Sequence, residues 1–122
     1  MKNQSFLTRL GFAVSGIAGT LRGEASFRTQ VLLGVCAAVA LLILKPPLIW
    51  AALCCLSAGL VFGLEMINTS LEHLADRLHP EQHESIRRAK DCAAGAVLIA
   101  SGVALVIGAA TVAVSLGWFN RF

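Results

Sequence analysis

The chain has 122 residues and a net charge of +3, and it is 57% hydrophobic with only 14% charged residues. A water-facing domain typically carries about 25% charged residues. The composition therefore excludes an ordinary soluble domain and indicates a membrane protein. We expect one integral-membrane domain over residues 1–122, with no nucleic-acid partner.

The first predicted element is an amphipathic helix over about residues 5–26. Its apolar residues fall roughly on one face, as a helix lying at the membrane surface requires: Phe6, Leu10, Ala13, Ile17 and Leu21. Its glycines leave a second interpretation open, in which Gly16, Gly19 and Gly23 let another helix approach closely.

Three long uncharged runs follow, at residues 29–44, 46–64 and 92–120. A spanning helix needs about 20 residues, so we predict transmembrane helices over about 28–45, 47–65 and 92–117. The sequence "KPP" at 45–47 cannot continue a regular helix and predicts a tight turn between the first two spans. The expected fold class is thus an all-α membrane protein with three spans and a surface helix.

The basic residues predict the orientation. Eight of the ten lie before the first span or between the second and third, and only Lys45 and Arg121 lie on the other side. The positive-inside rule then places the N-terminus and the segment 65–91 in the cytoplasm and the C-terminus outside. All seven acidic residues fall on the cytoplasmic side as well.

Four polar residues follow the second apolar run at helical spacing. At about 100° per residue, Glu65, Asn68, Glu72 and Asp76 form one stripe about 80° wide. Glu65 lies closest to the hydrocarbon boundary, where an ionisable residue is a functional candidate. A solvated helix face remains the alternative, although such a face usually carries lysine four residues from its acids.

Further charged groups lie on the same side of the membrane. Glu24 and Glu72 can jointly hold Mg²⁺, which takes one or two protein carboxylates and completes its shell with water and phosphate oxygens. Lys90, with Arg28 or Arg22, can supply positive charge to phosphates. These are the groups that phosphoryl transfer needs. The turn "HPEQHE" at 79–84 is either a plain surface turn or a ligand contact, and Pro80 argues against zinc bound by its two histidines.

Three segments resemble a known family: "GEASFR" at 23–28, "EMINTSLEHLAD" at 65–76 and "RAKDCAAGAVLIA" at 88–100. They are similar to the signatures of the small bacterial integral-membrane diacylglycerol kinases, a family that includes the undecaprenol kinases. The separation of 25 residues between Glu65 and Lys90 also fits that family. The family's frequent asparagine before the first metal-binding glutamate is Gly23 here.

The resemblance implies a homotrimer that transfers the γ-phosphate of Mg-ATP to a lipid alcohol. It implies that Glu65 is the general base and that Glu24 and Glu72 bind the metal. It implies ATP contacts from the same two glutamates and from six other residues: Arg9, Glu81, Gln82, His83, Lys90 and Asp91. Asn68 matches the polar residue beside the base, and we assign Arg28 and Asp76 to substrate binding or support.

The acceptor is expected to be diacylglycerol, giving phosphatidic acid, because broad-specificity members of the family accept it. The alternative is undecaprenol, giving undecaprenyl phosphate. A non-catalytic membrane subunit, for assembly or an ion pathway, is the rival of another class. The expected location is the bacterial cytoplasmic (inner) membrane.

Overall fold

A computed structural model describes residues 3–118 of the chain. The described part is all-helical, without strands, and contains four helices in the order α1 (Phe6–Gly23), α2 (Ala25–Leu44), α3 (Leu48–Leu78) and α4 (Glu84–Ser115). The prediction of an all-α fold is therefore confirmed.

Three of these helices, α2, α3 and α4, are long and apolar enough to cross a membrane. Their 20, 31 and 32 residues correspond to lengths of about 30, 46 and 48 Å. The hydrocarbon core of a bilayer is about 30 Å thick. Helices α3 and α4 therefore extend beyond the hydrocarbon, and their polar ends Glu65–Leu78 and Glu84–Asp91 account for the excess length.

Helices α3 and α4 form a closely packed hairpin. The buried residues of α3 recur every four positions, as one helix face requires: Ser57, Val61, Glu65 and Thr69. On α4, Thr111 is only 2% exposed, and its hydroxyl lies 3.2 Å from the Cys54 sulfur of α3. Three of the four buried α3 residues are polar. The face of α3 that packs inside the hairpin is therefore polar, like the end of α3 that extends beyond the apolar segment.

Helix α2 contacts α3 around the ring of Phe62 and is otherwise largely exposed. The rings of Phe27 and Phe62 meet edge to face with centroids 6.0 Å apart. About two turns further along α2, Gly34 faces the same ring, because a Cβ added there would lie 2.8 Å from Cζ of Phe62. A glycine is needed at this position to let the ring lie against the α2 backbone.

The helices are joined by short connections. Glu24 alone separates α1 from α2, with extended backbone angles of φ −118° and ψ 111°. Lys45 ends α2 in the left-handed conformation at φ 49°, and α3 begins after Pro47. The turn predicted from "KPP" therefore lies at the α2–α3 junction. No residue of α1 is buried, and the placement of α1 on a membrane surface stays a prediction.

Candidate functional site

The polar stripe of α3 runs from the hairpin interior to solvent. Glu65 is only 6% exposed, Asn68 and Glu72 are half-buried, and the Asp76 side chain is 66% exposed. Glu65 and Glu72 are seven residues apart, or about 10 Å along the helix. Because one helix carries all four groups, the stripe leads in a fixed order from the buried carboxylate of Glu65 to the exposed carboxylate of Asp76.

Asn68 connects the two middle positions of the stripe. Its Nδ2 donates to Glu72 Oε1 at 3.4 Å, while its Oδ1 is buried without a hydrogen-bond partner among the described residues. Buried polar atoms are nearly always paired. The unpaired Asn68 oxygen therefore indicates a place where a donor from a ligand, such as a hydroxyl or a bound water, completes the site.

Glu24 reaches this part of α3 from the α1–α2 junction. Its Oε1 lies 3.5 Å from His73 Nε2, and its side chain is 31% exposed. His73 directly follows Glu72, so the contact places Glu24 beside the turn of α3 that carries Glu72. No role was predicted for His73, which lies about 100° around the helix from Glu72.

The donor chemistry of this region fits magnesium. Among the residues that the structure describes, no group of three or more His, Cys, Asp or Glu side chains is arranged to hold a metal ion. Magnesium does not need such a cluster when phosphate oxygens and water supply the remaining ligands. The carboxylates of Glu24 and Glu72 are hard oxygen donors of the kind that this ion prefers.

The turn between α3 and α4 encloses a surface cavity of about 440 Å³. Its lining includes the predicted nucleotide contacts Glu81, Gln82, His83 and Lys90, together with His79. The His83 side chain caps α4 by accepting a hydrogen bond from Ser85 N at 3.1 Å. The structure therefore brings four of the predicted contacts to one concave surface at the end of the hairpin.

Lys90 is held from across the hairpin. Its Nζ lies 2.5 Å from Asp76 Oδ1, so the exposed end of the α3 stripe meets the basic residue of α4. One turn earlier, Arg87 bridges Glu84 at 2.6 Å and Asp91 at 2.8 Å. The hydrogen bond to Glu84 and the charge of Asp91 raise the pKa of Arg87 above its ordinary value. Asp91, a predicted nucleotide contact, is thus paired with Arg87.

Two predicted basic contacts lie elsewhere. Arg28 donates through Nη1 to the carbonyl oxygens of Leu21 at 2.9 Å and Arg22 at 2.8 Å. It caps the last turn of α1 and fixes the junction that carries Glu24. Arg9 is exposed and lies 15 residues before Glu24, about 22 Å along α1. The predicted contact of Arg9 with ATP stays a prediction.

The fold and the site define a small all-helical membrane protein whose carboxylates, amide and lysine gather at one end of its apolar helices. The model of a family described as prokaryotic diacylglycerol kinase matches residues 11–112 of the chain. The chain belongs to this family, and the predicted enzyme class, a lipid kinase, is confirmed by that membership and by its relatives.

Three relatives illustrate the similarity. The chain is 34% identical over 105 residues to the diacylglycerol kinase of Synechocystis sp., covering 85% of this chain and 60% of that one. It is 34% identical over 96 residues to the diacylglycerol kinase of Escherichia coli, covering 79% of both. It is 30% identical over 93 residues to the undecaprenol kinase of Bacillus subtilis, covering 76% of both. The family and the three apolar helices identify a bacterial membrane protein.

Proposed function

We propose that the protein transfers the γ-phosphate of ATP to the primary hydroxyl of diacylglycerol at the cytoplasmic membrane interface, producing phosphatidic acid. The observation that carries this proposal is the arrangement along α3. A buried carboxylate, Glu65, lies where α3 leaves its apolar segment, and the groups suited to a metal-bound triphosphate follow on the same stripe. In this proposal the lipid hydroxyl reaches Glu65 from the bilayer, while the nucleotide approaches from water.

In the proposed reaction, the lipid hydroxyl oxygen bonds to the γ-phosphorus and its proton passes to the Glu65 carboxylate. The bond between the γ-phosphorus and the bridging oxygen breaks, and ADP leaves with that oxygen. A general base of this kind contributes about 10²- to 10⁴-fold to the rate. Asn68 Oδ1, which lies one helical turn from Glu65, is available to accept a hydrogen bond from the incoming group.

Glu24 and Glu72 are the residues that would hold Mg²⁺, which supplies charge neutralisation on the β- and γ-phosphate oxygens when bound. Lys90 adds positive charge for the transferred group, and Asp76 restrains it. The turn 79–84 receives the rest of the nucleotide. Catalysis of phosphoryl transfer consists mostly of such positioning and charge stabilisation, which explains how so short a chain can be an enzyme.

We propose that the protein works as a homotrimer with its N-terminus in the cytoplasm. Cβ atoms added to Gly59 and Gly63 of α3, or to Gly95 of α4, would meet no atom within 4 Å. These glycines are not used for close packing inside the chain, and small residues of this kind let helices of neighbouring subunits approach.

Undecaprenol is the second candidate acceptor. The similarity to the Bacillus subtilis undecaprenol kinase covers three quarters of both chains. Both lipid alcohols present a primary hydroxyl above apolar chains, so the chemistry at Glu65 is the same for each.

The test is an assay of the purified protein in lipid nanodiscs with radiolabelled ATP and magnesium, with diacylglycerol or undecaprenol as the only added acceptor. We expect labelled phosphatidic acid, with a larger kcat/KM for diacylglycerol. A larger kcat/KM for undecaprenol would make undecaprenol, and not diacylglycerol, the preferred acceptor. Transfer of phosphate to neither lipid, by a protein that remains folded, would contradict the proposed function.

A further inference from the structure

The α3–α4 turn contains a pair of histidines whose rings meet edge to face at the cavity. The rings of His79 and His83 are 5.7 Å apart between centroids and inclined at 70°, and both residues line the cavity of about 440 Å³. The mechanism above assigns no role to His79 and uses His83 only as part of the nucleotide-binding turn.

The backbone fixes which ring nitrogen of each neutral histidine carries the proton. His79 Nδ1 lies 2.9 Å from the carbonyl oxygen of Glu81. A carbonyl oxygen can only accept, so His79 Nδ1 carries the hydrogen and His79 Nε2 is left as an acceptor. His83 Nδ1 accepts from Ser85 N at 3.1 Å, so His83 Nε2 carries the hydrogen and is a donor. The pair therefore offers one acceptor and one donor.

We infer that this histidine pair selects adenine over guanine in the nucleotide, an inference that rests on the proposed function. On the edge formed by N7 and the C6 substituent, adenine presents an acceptor at N7 and a donor at N6. His83 Nε2 donates to N7, and His79 Nε2 accepts from the N6 amino group.

Guanine presents two acceptors on the same edge, N7 and O6. His83 can still donate to N7, but the lone pair of His79 Nε2 then faces the lone pairs of O6. The pairing is lost and a repulsion replaces it. His79 is thus the residue that determines base selection, whereas His83 contributes to the binding of either purine.

The experiment compares kcat/KM for ATP, GTP and 7-deaza-ATP at mildly alkaline pH. The wild-type protein should prefer ATP to GTP by about fivefold to a hundredfold, the range expected for one well-placed donor–acceptor pair. His79→Asn keeps an amide near Nδ1 for the Glu81 carbonyl but places nothing at Nε2, and its preference for ATP over GTP should fall to about onefold to threefold. His79→Gln places an amide near Nε2 that can turn its oxygen to the N6 amino group or its nitrogen to O6, so its preference for ATP should fall as well.

A second variant keeps the inference testable if the His79 variants fail to fold. His83→Asn retains an oxygen that can accept from Ser85 N but removes the donor to N7. Its discrimination between ATP and 7-deaza-ATP, about threefold to tenfold in the wild type, should disappear. A wild-type protein that uses ATP and GTP equally, or a His79→Asn protein that keeps the wild-type ratio, would overturn the inference. Absence of transfer from every triphosphate would instead count against the proposed function itself.

Discussion

Lys90 of α4 forms an ion pair with Asp76 of α3, and substitutions at the two positions can separate the role of Asp76 from that of Lys90. Asp76→Asn removes the charge that restrains Lys90 while keeping the size of the side chain. The two atoms are 2.5 Å apart, but the side chains are 34% and 66% exposed, so water screens much of the attraction. Exposed pairs contribute about 0.2–1 kcal/mol, and the short distance favours the upper half of that range.

A loss of about 0.5–1 kcal/mol corresponds to about a twofold to fivefold change in an equilibrium constant. Lysine has three donors on a flexible stem, so Lys90 can keep its ion pair with Asp76 while it contacts a phosphate. The ion pair holds the Lys90 side chain in place for that contact. We therefore expect Asp76→Asn to raise KM for ATP about twofold to fivefold with little change in kcat. Steady-state kinetics at saturating diacylglycerol measures both, with Arg77→Gln as a control that removes a charge from the same end of α3.

The double variant Asp76→Asn/Lys90→Gln decides whether Asp76 acts through Lys90. If it does, Asp76→Asn has no further effect once Lys90 is replaced, and the coupling energy of the double-mutant cycle equals the effect of Asp76→Asn alone. Equal effects of Asp76→Asn in both backgrounds, or a lower KM after Asp76→Asn, would refute this reasoning.

Three further predictions concern packing, the α1–α2 junction and the metal. Gly34→Ala puts a methyl group 2.8 Å from the Phe62 ring, so it should lower stability by about 1–3 kcal/mol; thermal inactivation in detergent checks this, and an unchanged midpoint would show that the ring moves freely. Arg28→Gln loses charged donation to two carbonyl oxygens, so proteolysis at residues 21–24 should become faster, and an unchanged cleavage rate would show that the cap is not needed. Glu72→Gln should raise the magnesium concentration at half-maximal rate about tenfold, whereas an unchanged requirement would remove Glu72 from the metal site.

Much of the fold could be predicted because membrane insertion imposes strong patterns on the sequence. Uncharged runs of sufficient length predicted the three apolar helices, and the proline pair after Lys45 predicted the turn between α2 and α3. The stripe from Glu65 to Asp76 could be predicted because its geometry depends only on the helical repeat. What periodicity could not show was that Glu65 faces the interior of the hairpin, since burial depends on how α4 packs against α3.

The contacts between helices could not be predicted from the sequence. Asp76 and Lys90 are 14 residues apart, and Glu24 and His73 are 49 apart, so only the packed structure shows that each pair meets. Arg28 illustrates a different limit. Its charge predicted a phosphate contact, but an arginine four residues after a helix break can equally well cap the preceding helix, and local charge does not distinguish the two uses.

The most direct test of the central claim, that Glu65 is the base at the membrane boundary, is the kinetics of Glu65→Gln. The protein should remain folded in nanodiscs and bind ATP with nearly the wild-type affinity, while kcat for diacylglycerol phosphorylation falls about 10²- to 10⁴-fold. Ser70→Ala, an exposed substitution on the same helix, should keep full activity. A Glu65→Gln protein with near wild-type kcat would contradict the account.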